Sequence, residues 1–270
     1  MYHDFYQLKE NPFNVTADPD FFFSSKCHSD AISNLTYGIE QRKGILVITG
    51  EIGTGKTTLC RKLLRQSDKR TKFALILNPN FSELELLQMI VHDLGVSTRE
   101  KTRAGLVQAL NKFLIKVSNR GHNVVVVIDE AQNLSVSQLE HIRLLSNLET
   151  EKEKLLQIIL VGQPELHAKL QLPELRQLRQ RIAVHFHVRP LDRTDIKSYI
   201  DHRITKVSRK TDRMITFTEQ AVESIFHYTR GSPRAINILC DRALLAGFVA
   251  ETHSIDEYII ENCAREVIVL

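Results

Sequence analysis

The 270-residue chain is poor in the features that would tie it to a membrane or to an oxidising compartment. Its four cysteines, Cys27, Cys60, Cys240 and Cys263, are scattered and form no C-x-x-C pair. That spacing argues against a disulfide framework or a thiolate metal site and predicts reduced, cytosolic thiols. No uninterrupted apolar run approaches the ~18 residues that a membrane-spanning helix needs. Met1-Tyr2-His3-Asp4 shows neither the basic region nor the apolar stretch of a secretory signal. There is no internal repeat and no low-complexity tract. The net charge of +4 permits contact with an anionic partner without demanding one. With 43% hydrophobic and 25% charged residues, the composition is that of a globular protein. The length allows one large domain, with or without a smaller one.

Against this plain background one stretch stands out. Gly50-Glu51-Ile52-Gly53-Thr54-Gly55-Lys56-Thr57 fits G-x-x-x-x-G-K-[ST], the phosphate-cradling loop. Glycines let the backbone curl so that successive N–H groups face phosphate oxygens. A following helix adds its positive N-terminal end. Lys56 suits the β- and γ-phosphates, and the Thr57 hydroxyl suits one Mg²⁺ position. The backbone from Glu51 through Thr58 is the candidate cradle. The context agrees: Ile45–Thr49 reads as a buried strand and Thr58–Leu64 as an amphipathic helix.

The flanking pattern alternates strand and helix. A helix is expected over Ser29–Gln41, with Ala31, Ile32, Leu35 and Ile39 on one face. Phe73–Asn78 reads as a second strand, and Ser82 with Glu85 as a capping box opening a helix. A further helix is expected over Arg103–Ser118. Asn123–Ile128 is β-branched and apolar throughout, as a strand buried on both faces should be. A helix follows Asn133, then strands at Gln157–Gly162 and Ala183–Val188. Such alternation predicts an α/β fold with a parallel sheet. After Pro190 only helices are expected, over 192–207, 218–228, 232–250 and 255–267. The expected division is an entry segment at 1–43, a P-loop core at 44–190 and an all-α part at 191–270.

Hydrolysis needs an acid at the end of an adjacent buried strand, because ligands of parallel sheets sit beyond the carboxyl ends of the strands. Asp129-Glu130 ends the Asn123–Ile128 run. Asp129 is placed to hold Mg²⁺, and Glu130 to orient or deprotonate the attacking water. Gln163, just past the next strand, is a candidate contact to the γ-phosphate or that water; a plain turn residue before Pro164 is an equal reading. A transition-state cation is sought among Arg176, Arg179 and Arg181. In Gly231-Ser232-Pro233-Arg234, Ser232 is expected as a helix N-cap with Pro233 behind it. A cation in a helix's first turn opposes the dipole, so Arg234 suggests an anion nearby.

Together these elements resemble the AAA+ ATPases over nearly the whole chain. The resemblance implies a P-loop αβα core followed by a helical lid, with ATP and Mg²⁺ as ligands. Lys56 and Thr57 match Walker A, and Asp129 and Glu130 match Walker B. Asn78 resembles the residue that pairs with the catalytic glutamate. Gln163 stands at sensor 1, where the family more often has Asn or Thr. Arg234 resembles sensor 2, and Arg181 the arginine finger, with Arg179 second. A finger acting on a neighbour's nucleotide implies a homo-oligomeric ring or filament.

A narrower resemblance is to the general secretion pathway A-type ATPases and their relatives in pilus and exopolysaccharide export. It rests on Phe5-Tyr6-x-Leu8-Lys9-Glu10-Asn11-Pro12-Phe13, Pro19-x-Phe21-Phe22-Phe23, Ile128–Leu134 and Leu160–Leu166. It implies an adenine pocket near Pro12, Phe13 and His28. It also implies a cytoplasmic place, at the inner face of the inner membrane, beside a secretion-machine partner. Larger members continue into a transmembrane helix and a peptidoglycan-binding domain, so the chain is expected to be a short relative or the ATPase domain of a longer one. Three other readings stay open: a DNA-binding regulator of the transposition target-selector kind, a helicase, and a nucleotide-gated scaffold with little turnover. The DNA reading draws on basic residues Arg189, Arg193, Lys197, Arg203, Lys206, Arg209, Lys210 and Arg213, interrupted by Asp192, Asp195, Asp201 and Asp212.

Overall fold

The structure, a computed structural model, describes residues 2–151, 153–209 and 215–268. Two compact units divide the chain. One comprises Cys27–Glu51 with Leu59–Val188; the other comprises Met1–Lys26, Ile52–Thr58 and Arg189–Leu270. In chain order the helices and strands are α1 (Tyr2–Phe5), α2 (Lys26–Glu40), β1 (Ile45–Gly50), α3 (Lys56–Gln66), β2 (Thr71–Ile76), α4 (Glu83–Asp93), α5 (Arg103–Ser118), β3 (Asn123–Ile128), α6 (Val136–Leu145), β4 (Gln157–Gly162), α7 (Pro164–Leu170), α8 (Arg176–Arg179), β5 (Ile182–Val188), α9 (Asp195–Val207), β6 (Thr216–Phe217), α10 (Glu219–Thr229), α11 (Pro233–Val249), β7 (Ser254–Ile255) and α12 (Glu257–Ile268).

The first unit is built on a five-stranded parallel sheet in the order β2-β3-β4-β1-β5. Its inner strands are the apolar runs of the sequence. Every residue of β1 and β4 is buried, because helices cover both faces of a parallel sheet. The edge strand β5 instead alternates half-buried and exposed residues until its last. Helix α5 places Leu106, Leu110, Leu114 and Val117 in the core at helical spacing, and α4 does so with Leu86, Leu87, Ile90 and Val91. The Ser82–Glu85 capping box forms, and a second one opens α6 at Ser135 and Gln138. Because all the strands run one way, Ile76, Ile128, Gly162, Gly50 and Val188 end at one edge of the sheet. The loops that follow therefore gather there.

The second strand is displaced from its expected bounds. β2 is Thr71–Ile76, paired residue for residue with Asn123–Ile128, so Leu77 and Asn78 lie past the strand. The partner strand ends at Ile128 and offers no further ladder; Leu77 is exposed.

In the second unit α9 to α12 share one core with Tyr6, Leu8, Phe13 and Phe21 from the N-terminal segment. Backbone bonds fasten that segment: Lys9 N–H donates to Val207 O at 2.8 Å, and Arg209 N–H donates to Gln7 O at 2.9 Å. A short parallel pair, Thr216–Phe217 with Ser254–Ile255, also lies here, where only helices were expected. Two-residue strands carry no periodicity from which to read them.

Candidate nucleotide site

The loop after β1 has the glycine geometry its motif calls for. Gly53 and Gly55 sit at φ of 79° and 88°, where side-chain-bearing residues are strained. Lys56 and Thr54 are buried, Thr57 and Thr58 half-buried, and Glu51 and Ile52 exposed. Within the helical unit this loop touches the Gly231–Arg234 motif. Arg234 N–H donates to Gly53 O at 3.2 Å. A Cβ at Gly53 would come within 2.7 Å of Arg234 Cβ and 2.8 Å of Ser232 Oγ. Ser232 does precede α11 with Pro233 behind it, but its side chain forms no capping hydrogen bond. Arg234 stands exposed in the first turn of that helix.

In the sheet unit, β3 delivers Asp129 and Glu130 to the sheet's carboxyl edge. Asp129 is buried, and its Oδ1 accepts from Glu130 N–H at 2.9 Å. Glu130 takes φ of 54°, a left-handed backbone rare for a residue with a side chain. Its Oε2 accepts hydrogen bonds from Gln132 Nε2 at 2.5 Å and Gln163 Nε2 at 3.2 Å. Gln163, read from sequence as a contact to the γ-phosphate, the attacking water or nothing, thus lies on the carboxylate of Glu130. Asn78 is exposed beyond β2, and the amides on Glu130 are those of Gln132 and Gln163. Lys169 braces the turn after Glu130, its Nζ donating to the carbonyls of Gln132 at 2.5 Å and Leu134 at 2.7 Å. Gln132 lies in the Ile128–Leu134 run that carries the narrower resemblance but gains no role from it, and no local pattern marks Lys169. Their roles come from a turn and a helix brought together by tertiary contact.

The three candidate arginines separate. Arg179 Nη1 donates to Leu170 O and Gln171 Oε1, each at 3.2 Å, and so closes the end of α7. Arg176 and Arg181 are exposed, and Arg181 leads directly into β5.

Pro12 and Phe13 belong to the helical unit, and buried His28 to the sheet unit. Phe13 is packed in the helical core and Pro12 presents its carbonyl to Arg203. Arg203, read from sequence as part of a basic face, is buried. Its Nε donates to Pro12 O at 2.5 Å, its Nη1 to Tyr199 OH at 3.0 Å and its Nη2 to Asn14 O at 2.9 Å. Its guanidinium lies 4.7 Å from the centre of the Phe21 ring. Arg193 pairs with Glu223 at 2.6 Å and Arg209 with Asp4 at 3.2 Å. Lys210, Asp212 and Arg213 lie outside the described residues. Of these arginines Arg203 is withdrawn from the basic face, while Arg193 and Arg209 stay exposed in surface ion pairs.

Beside the loop's strand, Thr49 Oγ1 lies 3.3 Å from His185 Nε2 and 3.0 Å from His187 Nδ1, and His185 stacks on His167. Burial, then the neighbouring His167 and His187, hold the His185 imidazole below its usual pKa.

A model of the AAA domain family matches residues 39–170. The chain carries an AAA domain. It is 39% identical over 268 residues to General secretion pathway protein A of Aeromonas hydrophila, covering 99% of the chain and 48% of that protein. It is 26% identical over 164 residues to the ATP-dependent target DNA activator B of Escherichia phage Mu, covering 59% of the chain and 49% of that protein. The chain thus spans about half the length of the curated relatives it matches. Among solved structures it is similar to the ORC2 protein of Aeropyrum pernix in its ADP form. The TM-score is 0.68 and the identity 16%, over 96% of this chain and 73% of that one. The fold is therefore that of a P-loop AAA+ protein, with a parallel five-stranded core and a helical part after it. No helix among the described residues is long and apolar enough to cross a membrane.

Proposed function

We propose that this AAA+ chain is a Mg²⁺-dependent ATPase that drives assembly or remodelling of a bacterial envelope secretion or pilus apparatus. The observation that carries the hydrolytic part is Glu130, a carboxylate just past the end of β3 held by two amides. In this reading the backbone of Glu51–Thr58 cradles the phosphates, and Lys56 meets the β- and γ-phosphates. Thr57 and Asp129 supply the hard oxygen donors that suit Mg²⁺, an ion held by one or two protein oxygens plus substrate phosphates. Bound there, the ion would neutralise charge on the phosphate oxygens. Glu130 takes the proton of the attacking water. Gln163 fixes Glu130, Arg234 reaches the γ-phosphate from the lid at 191–270, and Arg181 serves a neighbouring subunit's nucleotide. Pro12, Phe13 and His28 lie by the adenine, through the entry segment at 1–43. Asn78 has the weakest support, since it is exposed past β2.

The secretion role rests on likeness to General secretion pathway protein A, which reaches 99% of this chain. With it go a homo-oligomer formed on ATP binding, an envelope-machine partner and a place at the inner face of the inner membrane. The phage Mu relative keeps a DNA-binding regulator as second reading, tested by whether ATP-dependent DNA affinity falls steeply with salt.

Phosphate release with Mg²⁺ at high protein concentration tests the first reading. Wild type should exceed Lys56→Ala clearly. Glu130→Gln should keep nucleotide and lose roughly 10²–10⁴ in rate, as loss of a general base does. Equal rates for wild type and Lys56→Ala would end the hydrolytic reading.

A further inference from the structure

Gln132 has no part in the site as read from sequence, yet it closes a ring of hydrogen bonds around Glu130. Gln132 Nε2 donates to Glu130 Oε2 at 2.5 Å, and Gln163 Nε2 donates to the same oxygen at 3.2 Å. The backbone N–H of Gln163 donates in turn to Gln132 Oε1 at 3.0 Å. Each glutamine therefore orients the other as well as the carboxylate.

The surroundings are shaped for this ring. A Cβ at Gly162 would lie 2.9 Å from Gln132 Oε1, so a side chain there would push the amide away. Lys169 holds the backbone carbonyl of Gln132 itself, so the turn cannot swing freely. Glu130 keeps a left-handed backbone, which is rare for a residue with a Cβ and recurs at functional sites. Both donors converge on Oε2. Among the described residues no protein donor reaches Oε1. A carboxylate with one oxygen anchored and the other open is suited to take a proton from water along one direction.

We propose that Gln132 is a positioning residue for Glu130, and that the Gln132–Gln163 pair does in this chain what the family resemblance assigns to Asn78. The inference rests on the hydrolytic reading above. In the step it serves, the oxygen of water bonds to the γ-phosphorus as the bond from phosphorus to the bridging oxygen of ADP breaks. The proton of water passes to Glu130 Oε1, and ADP leaves with the electron pair. Gln132 touches none of these atoms. It acts by fixing Oε2 so that Oε1 is the oxygen offered.

Gln132→Met keeps the side chain's length and removes both the donor and the acceptor. Its kcat for ATP should fall by about tenfold or more with KM for ATP and Tm little changed, because only orientation in the transition state is lost. In a Glu130→Gln background the same change should cost nothing further, because Gln132 acts through Glu130. The side-chain amide ¹⁵N resonances of Gln132 and Gln163 should both move in Glu130→Gln, a readout that needs no turnover. Unchanged kcat in Gln132→Met, an equal loss in the Glu130→Gln background, or amide resonances indifferent to Glu130→Gln would each overturn the proposal. A wild-type rate equal to that of Lys56→Ala would overturn the hydrolytic reading and this proposal together. Normal wild-type turnover with an unaffected Gln132→Met would overturn this one alone.

Discussion

A methyl group at Gly231 would lie 2.0 Å from the carbonyl oxygen of Leu191, in a backbone with φ of 76°. Neither the contact nor the conformation admits a Cβ, and the neighbouring Leu191 N–H donates to Gly231 O at 2.9 Å. Gly231→Ala should therefore cost more than about 2 kcal/mol, read by equilibrium denaturation. A loss within experimental error would mean that the turn relaxes. Gly53 differs in kind, since its Cβ would meet the Ser232 and Arg234 side chains. Gly53→Ala should weaken ATP binding, measured by titration calorimetry, with less effect on Tm than Gly231→Ala. The opposite order would show that the loop glycine serves folding first.

At the scale of elements, Arg203 ties the N-terminal segment to α9. Its donors meet the carbonyls of Pro12 and Asn14 and the hydroxyl of Tyr199, and its plane covers Phe21. Tyr199 OH also donates to Asn237 on α11, which extends the network to a second helix. No carboxylate joins Arg203 among the described residues, so carbonyl dipoles and ring faces carry its charge. Arg203→Ala would leave those acceptors unpaired, at a cost of about 2–3 kcal/mol. Arg203→Lys should recover little, because an ammonium cannot reproduce the planar fork. Hydrogen exchange over residues 9–16 should rise in both variants; unchanged protection there would show that apolar packing alone holds the segment.

For the whole molecule, pH enters through histidine. His141, His185 and His202 are each held below the usual imidazole value, with burial the largest cause in every case. Arg103, His167 and Lys206 are the next causes respectively. The folded state then binds fewer protons than the unfolded one. That stability is present above the unfolded value of about 6.5 and is lost as pH falls through the folded values. Tm should drop from about pH 7.5 to 5.5, and less so in His202→Gln. A flat profile would show that these rings take up protons in the folded state at no cost. Assembly is the second property at this scale. Light scattering on Glu130→Gln should show growth with ATP. An Arg181→Ala chain should be inactive alone but regain turnover when mixed with Glu130→Gln, because each would supply what the other lacks. Failure of mixing to restore any rate would remove Arg181 as a residue acting between subunits.

The phosphate loop, the buried strands and the acidic pair were legible because each is a local pattern: glycine spacing, a run of β-branched residues, a polar residue at a strand's end. The capping box at Ser82 and Glu85 was equally local. The partners of Glu130 were not. Gln132 and Gln163 stand on separate elements 31 residues apart and meet only when β3 and β4 lie side by side. Arg203 read as a solvated cation for the same reason. Its carbonyl partners lie 189 and 191 residues away, and only packing brings them near. The sequence by itself determined the phosphate-loop pattern and the acidic pair, since each depends on residues adjacent in the chain. Tertiary structure alone decided which side chains hold Glu130, since their geometry depends on contacts that chain proximity does not specify.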